Sequence, residues 1–270
     1  MNAISKIYQN AILSTHPNAR NIRTPDVCGS KNTVIFADID NKTKVFKFGS
    51  PDIIKKNEQI SKIYLTFGIP VPQIRMGQYK NIFFEEYTAL PGKTLFEAIN
   101  DGMPEFQIKR VYRQILKNIA KMHTILPYAL HNQPINTIHL VAREHVTNVN
   151  NPVLGNLCMA LIYIVNMGKQ KDIAVFHSDI TPKNTIVSPD GNLVGFLDID
   201  SVAISNLNYI FGAMAAKYQQ LGFDISELCD YFEKITQTKL NRTRVDAIAT
   251  ANSFAKKILW KHSQLKQKWK

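Results

Sequence analysis

The hydrophobic pattern changes period near residue 90, which restricts the chain to folds that keep a small sheet and a helical body apart. Before that point, Val34-Ile35-Phe36-Ala37 and Val45-Phe46-Lys47-Phe48 are β-branched and aromatic runs separated by residues 38–44, the mark of a hairpin. A helix is expected next, with Ser50 as cap, Pro51 in its first turn and Gly68 closing it. Its packed side carries Ile53, Ile54, Ile60, Ile63 and Tyr64. Residues 73–77 and 81–87 read as two more strands before Leu90-Pro91-Gly92 breaks the chain. Beyond Lys93 the spacing is helical, with helices expected over 105–125 and 152–167 and an irregular connection over 126–150. Short strands return at 174–176, 185–187 and 193–197, the last two joined by the turn Ser188-Pro189-Asp190-Gly191-Asn192. Helices resume from Asn206, and a last one starts near Arg242. The pattern is α+β: a small antiparallel sheet with one helix over residues 1–88, then a larger, mainly helical lobe over 89–270.

Length and composition suit one or two compact lobes. The 270 residues are 45% hydrophobic and 20% charged, enough to bury a core and unlike a disordered chain. The net charge of +12 first invites nucleic acid, an anionic surface or a phosphorylated ligand. Six lysines, Lys256, Lys257, Lys261, Lys266, Lys268 and Lys270, supply half of it in the last fifteen residues. Without a recognised reading element, no nucleic-acid partner is expected. Cys28, Cys158 and Cys229 are far apart and form neither a disulfide framework nor a zinc motif. The first ten residues lack the pattern of a secretory signal, so a cytoplasmic protein is expected. The most apolar run, 157–165, is too short to span a bilayer, so no transmembrane segment is expected.

The most informative stretch is Phe176-His177-Ser178-Asp179-Ile180-Thr181-Pro182-Lys183-Asn184, followed after two strands by Leu197-Asp198-Ile199-Asp200. The spacing His-x-Asp-x-x-x-x-Asn, with a later Asp just past a strand, is how kinase-type sites place a base and metal ligands. The residue types suit that chemistry. Asp179 offers a carboxylate to accept or orient the proton of an attacking hydroxyl, and Asn184 and Asp198 offer oxygen ligands to Mg2+. The residues alone also fit a solvated turn at Asp179, an Asx-turn at Asn184 and a strand-ending carboxylate at Asp198. His177 is expected to be a structural imidazole that braces the loop. Asp200 is expected in a supporting role, with metal binding, orientation of Asn184 and capping of the next helix as the alternatives.

These motifs resemble the aminoglycoside phosphotransferase and choline kinase family, small-molecule relatives of protein kinases. The resemblance covers most of the chain and implies a protein-kinase-like two-lobed fold with ATP and Mg2+ as cofactors. It places Gly29-Ser30-Lys31-Asn32 at the family's nucleotide-covering loop, with Ser30 and Asn32 near phosphate. It implies that Lys47 contacts ATP phosphates and that Glu58, on the following helix, holds Lys47 by an ion pair. Phe83-Phe84-Glu85-Glu86-Tyr87, before Leu90-Pro91-Gly92, is similar to the family's strand and hinge, where backbone groups near Glu86 and Thr88 meet adenine.

Departures from the pattern narrow the reading. No long activation segment with Ala-Pro-Glu follows Asp200, which argues against a protein kinase. Ile210 stands where relatives carry a structural Asp, and the segment 197–202 with Phe211-Gly212 also resembles an N-acetylhexosamine kinase branch. The resemblance implies transfer of the ATP γ-phosphoryl group to a hydroxyl of a small molecule: an aminoglycoside or other antibiotic, an amino sugar or an amino alcohol. Asp224, Glu227, Asp230 and Glu233 recur every three residues and would suit a cationic acceptor, or form a solvated face. Tyr209, Tyr218, Tyr231 and Trp260 would suit a quaternary amine, or pack in the core. The competing readings are an inactive, nucleotide-binding regulator and, led by charge alone, a nucleic-acid-associated protein.

Overall fold

A computed structural model of the chain describes residues 6–25, 33–129, 136–137, 173–177, 180–199 and 202–250. The chain divides into two compact units, Met1–Ile108 with Pro182–Asp200 and Lys109–Thr181 with Ser201–Lys270. The first unit therefore takes in residues 89–108 and 182–200, which a linear division at 88 assigns elsewhere.

In the first unit, helix α1 (Lys6–Thr15) and strands β1 (Arg20–Arg23), β2 (Thr33–Ile39) and β3 (Lys42–Gly49) precede helix α2 (Pro51–Thr66). Strands β4 (Arg75–Tyr79) and β5 (Ile82–Thr88) complete an antiparallel sheet of order β1-β2-β3-β5-β4. The β2–β3 turn is two residues, Asp40 and Asn41, both at positive φ, as such a hairpin requires. Alternation along β3 sorts its side chains to two faces. Phe46 and Phe48 join Phe84, Ile35, Ala37 and Ile39 against Ala11 and Ile12 of α1. Lys47 points to the opposite face, where α2 packs and buries Ile54, Asn57, Ile60, Ser61 and Tyr64. Ser50 is the N-cap of α2 but makes no side-chain cap hydrogen bond, and Pro51 fills the first turn. Gly68 has φ 64° just past the helix end, the conformation expected of it.

The same unit contains β6 (Lys93–Thr94), helix α3 (Leu95–Asn100) and the hairpin of β9 (Thr185–Val187) and β10 (Leu193–Phe196), which form a sheet of order β10-β9-β6. Thr94 and Glu97 cap α3 reciprocally, each side chain bonding the other's backbone N–H. In the hairpin turn Gly191 has φ 70° and its N–H donates to the Ser188 carbonyl.

Helix α4 (Glu105–Ala129) begins in the first unit and continues into the second. There β7 (Asn136–Thr137), β8 (Ile173–His177) and β11 (Val202–Asn206) form a small sheet of order β7-β11-β8. Helices α5 (Leu207–Gln220) and α6 (Ile225–Thr236) follow, and residues 242–250 are helical. Their core includes Phe211, Tyr218, Leu228, Phe232, Val245 and Ile248. The expected helix over 152–167 lies outside the described residues. Helix α1 and strands β1, β7 and β11 were not legible in the hydrophobic pattern. No described helix is long and apolar enough to cross a membrane.

Candidate active site

Two loops of the first unit carry the expected metal ligands, and the β9–β10 hairpin sets their spacing. Asn184 precedes β9 and Asp198 follows β10 by two residues. The Leu197 N–H donates to the Asn184 carbonyl at 2.8 Å, which ties the two loops together beside the hairpin. Just before it, the Phe196 N–H donates to the Pro70 carbonyl at 2.9 Å, and Phe196 and Ile199 are buried on either side of Asp198. Asp198 has φ 56°, a left-handed conformation that Asp tolerates better than most residues, and its side chain is half exposed. The carboxylate is thus held outward between two buried apolar anchors.

Lys47 meets that carboxylate. Its Nζ lies 2.6 Å from Asp198 Oδ1, across 151 residues of sequence, with the lysine side chain only 12% exposed. The two line a small cavity of about 10 Å³ together with Asn57, Pro72, Ile74, Glu85, Tyr87 and Ile199. A partly buried ammonium beside an outward carboxylate is a pairing that polyphosphate and a hard cation can share.

The expected Lys47–Glu58 ion pair is not formed. Glu58 instead pairs with Lys62, one turn along α2, at 3.1 Å. The buried acid beside Lys47 is Glu85: β3 and β5 pair in register with Lys47 opposite Glu85, so both side chains lie on the α2 face. Glu85 is 3% exposed and accepts a hydrogen bond from Asn57 Nδ2 at 2.5 Å. Sequence reading missed both Glu85 and Asn57. Alternation along β5 could have placed Glu85 on the face of Lys47, but it could not have shown which residue of α2 faces the sheet.

At the expected hinge, Glu86 lies inside the ladder, opposite Phe46 on β3 and Arg75 on β4. Thr88, opposite Lys44 on β3, lies two residues beyond the end of that β4 pairing. The backbone open on the β4 side is therefore that near Thr88. The Glu86 side chain points to the α1 face and accepts from Lys44 at 2.6 Å and His16 at 2.9 Å. Burial opposes its ionisation, but the hydrogen bonds and charges of Lys44 and His16 outweigh that and hold its carboxyl below its ordinary range.

His177 is 1% exposed at the end of β8, where it pairs with Val202 of β11. Ser30, Asn32, Asp179 and Asp200 lie outside the described residues. The four acids of α6 and its cap are engaged within their own unit. The Asp224 side chain accepts from the Ser226 N–H, and Glu227 pairs with Arg113 and Lys109. Asp230 and Glu233 both pair with Arg242. Of the tyrosines, Tyr218 packs edge-on against Tyr112 and tilted against Phe223, while Tyr231 lies under Arg113. Trp260 is outside the described residues.

Oxygen donors at Asn184 and Asp198 suit Mg2+, which takes one or two protein ligands and completes its shell with water and phosphate. Among the described residues no group of three His, Cys, Asp or Glu is placed to hold a metal by itself.

No protein-family model matches the sequence, and no curated protein matches it. Solved structures do. A GDP complex of aminoglycoside 2'-phosphotransferase-IIIa matches with a TM-score of 0.70 at 16% identity, over 98% of this chain and 93% of the other. A type VIII aminoglycoside-3'-phosphotransferase matches at 0.64 and 13% identity, over 91% of this chain and 98% of the other. Choline kinase LicA from Streptococcus pneumoniae matches at 0.63 and 14% identity, over 97% of this chain and 91% of the other. The α+β fold of this chain, an antiparallel sheet followed by a helical body, is the fold of these phosphotransferases.

Proposed function

We propose that the protein is an ATP- and Mg2+-dependent phosphotransferase that moves the γ-phosphoryl group to a hydroxyl of a small molecule. The observation that carries this reading is the 2.6 Å contact between Lys47 and Asp198, which joins the sheet lysine to the loop that follows β10. When bound, MgATP supplies the transferred group. Lys47 would then neutralise phosphate charge, and Asn184 and Asp198 would hold the cation. Asp179 accepts or orients the proton of the acceptor hydroxyl, and His177 and Asp200 support that loop. Backbone near Thr88, beyond the paired Glu86, would meet the base, and Ser30 and Asn32 would cover the phosphates. In this reading, residues 1–88 form the core of the nucleotide-binding lobe.

The acceptor is read from charge. With Asp224, Glu227, Asp230 and Glu233 already bonded to the chain's own N–H and cationic groups, α6 presents no free acidic face for a polycation. The net charge of +12 also works against one. Among aminoglycosides, amino sugars and amino alcohols, these facts favour the acceptors with fewest positive charges.

The test is ADP release with MgATP, and MgGTP in parallel, across aminoglycosides, amino sugars, choline and homoserine. Asp179→Ala should abolish turnover, by at least about a hundredfold, and leave nucleotide affinity within about twofold. A wild-type protein that binds nucleotide yet releases no ADP with any acceptor would instead establish the inactive regulator.

A further inference from the structure

We propose that Glu85 on β5, held by Asn57, is the acid that positions Lys47, so that α2 acts on the lysine through an amide and a strand carboxylate. The proposal deepens the phosphotransferase reading and rests on it for the role of Lys47. Four observations converge. Lys47 and Glu85 are direct cross-strand partners, which brings their Cβ atoms to within about 4.5–5.5 Å on one face of the sheet. Glu85 is 3% exposed, and a carboxylate that deep needs compensating partners. Asn57, 1% exposed on the inner face of α2, donates to Glu85 Oε1, and both residues line the cavity that holds Lys47 and Asp198. Glu58, by contrast, is partnered with Lys62 along its own helix.

The arrangement has a physical consequence. A helix acid paired directly with a lysine loses its contact whenever the helix shifts. A carboxylate on the neighbouring strand moves with the lysine, because the two are fixed by the same ladder. Asn57 then couples the helix to the pair through a neutral donor, while its own Oδ1 is buried without a hydrogen-bond partner. Lys47 is left between two carboxylates: Glu85, anchored in the sheet, and Asp198, at the end of the β10 loop.

The test uses the full chain in two double-mutant cycles, Lys47→Met with Glu85→Gln and Lys47→Met with Glu58→Gln. Two readouts are taken: the Kd of Mg·AMP-PNP and the urea unfolding equilibrium. Glu85→Gln is expected to weaken Mg·AMP-PNP about tenfold when Lys47 is present and to add little to K47M, with Glu85→Asp restoring part of the loss. A merely structural role would weaken both backgrounds alike, and that result overturns the proposal. So does a loss that falls on E58Q rather than E85Q. Should the wild type bind no Mg·AMP-PNP, the phosphotransferase reading fails, and the unfolding cycle decides the pairing alone. Coupling of Lys47 with Glu85 of about tenfold in the unfolding constant upholds it, and additivity overturns it. Should E85Q not fold, Glu85→Asp takes its place in both cycles: because it keeps a shortened carboxylate, a smaller coupling with Lys47, of about threefold, upholds the proposal, and additivity overturns it.

Discussion

At the scale of single residues, the site is built where backbone conformations are least forgiving. Gly92 has φ +129°, and a Cβ there would come within 2.1 Å of the Val187 carbonyl oxygen, a backbone atom that cannot turn away. Gly92→Ala is therefore expected to destabilise the protein by about 3 kcal/mol or more, read as a loss of thermal or urea midpoint. Its neighbours along the chain lead into β6, which pairs with β9, so the strain would reach the Asn184 loop. Asn57 carries a different cost. Asn57→Ala removes the amide that meets the buried Glu85 carboxylate, and a charge-assisted hydrogen bond of this kind is worth about 2 kcal/mol. Urea unfolding of N57A against the wild type measures it. The loops that carry Asn184 and Asp198 could be placed from the sequence because they flank a short hairpin, where few residues separate the parts, whereas Lys47 was singled out by the family resemblance. Glu85 was not, because its importance depends on a partner from another strand.

At the scale of elements, α1 shows what patterning alone left out. Its buried face is narrow, with Ala11 and Ile12 as its fully buried residues, so ten residues gave little amphipathic signal. Docking on Phe46, Phe48 and Phe84 makes it part of the sheet's core. The helix end is further fastened by His16, which reaches Glu86 beside Lys44. Because the folded Glu86 titrates below its ordinary value of 4.5, its contribution to stability is complete above that value and is lost as pH falls through the lowered folded value. Glu86→Gln should cost about 1–2 kcal/mol near pH 7 and give a shallower loss of stability between about pH 5 and 3. Urea titrations at stepped pH check both parts. Strand ends moved by one or two residues from expectation at β4, β5 and β10, as happens where a ladder partner rather than propensity decides the last pair.

At the scale of the whole molecule, the first unit is discontinuous in sequence, and the hairpin of β9 and β10 belongs to it together with β6 and α3. A fragment of residues 1–108 would leave β6 without β9 and the Pro70 carbonyl without the Phe196 N–H. It is expected to melt without a cooperative transition, whereas the full chain melts cooperatively, a difference that circular dichroism resolves. The α+β fold class, the first hairpin, the start and end of α2 and the β9–β10 hairpin followed from the sequence by itself. They depend on local periodicity, turn chemistry and short-range spacing, which the chain carries wherever it folds. Which acid faces Lys47 was decided by tertiary structure. Asn57 and Glu58 are successive residues separated by about 100° around α2. The packing of Ile54, Ile60 and Tyr64 against the sheet settles the helix's rotation, turning Asn57 inward and leaving Glu58 to Lys62. That rotation sums contacts from several elements, so no local reading of the helix contains it.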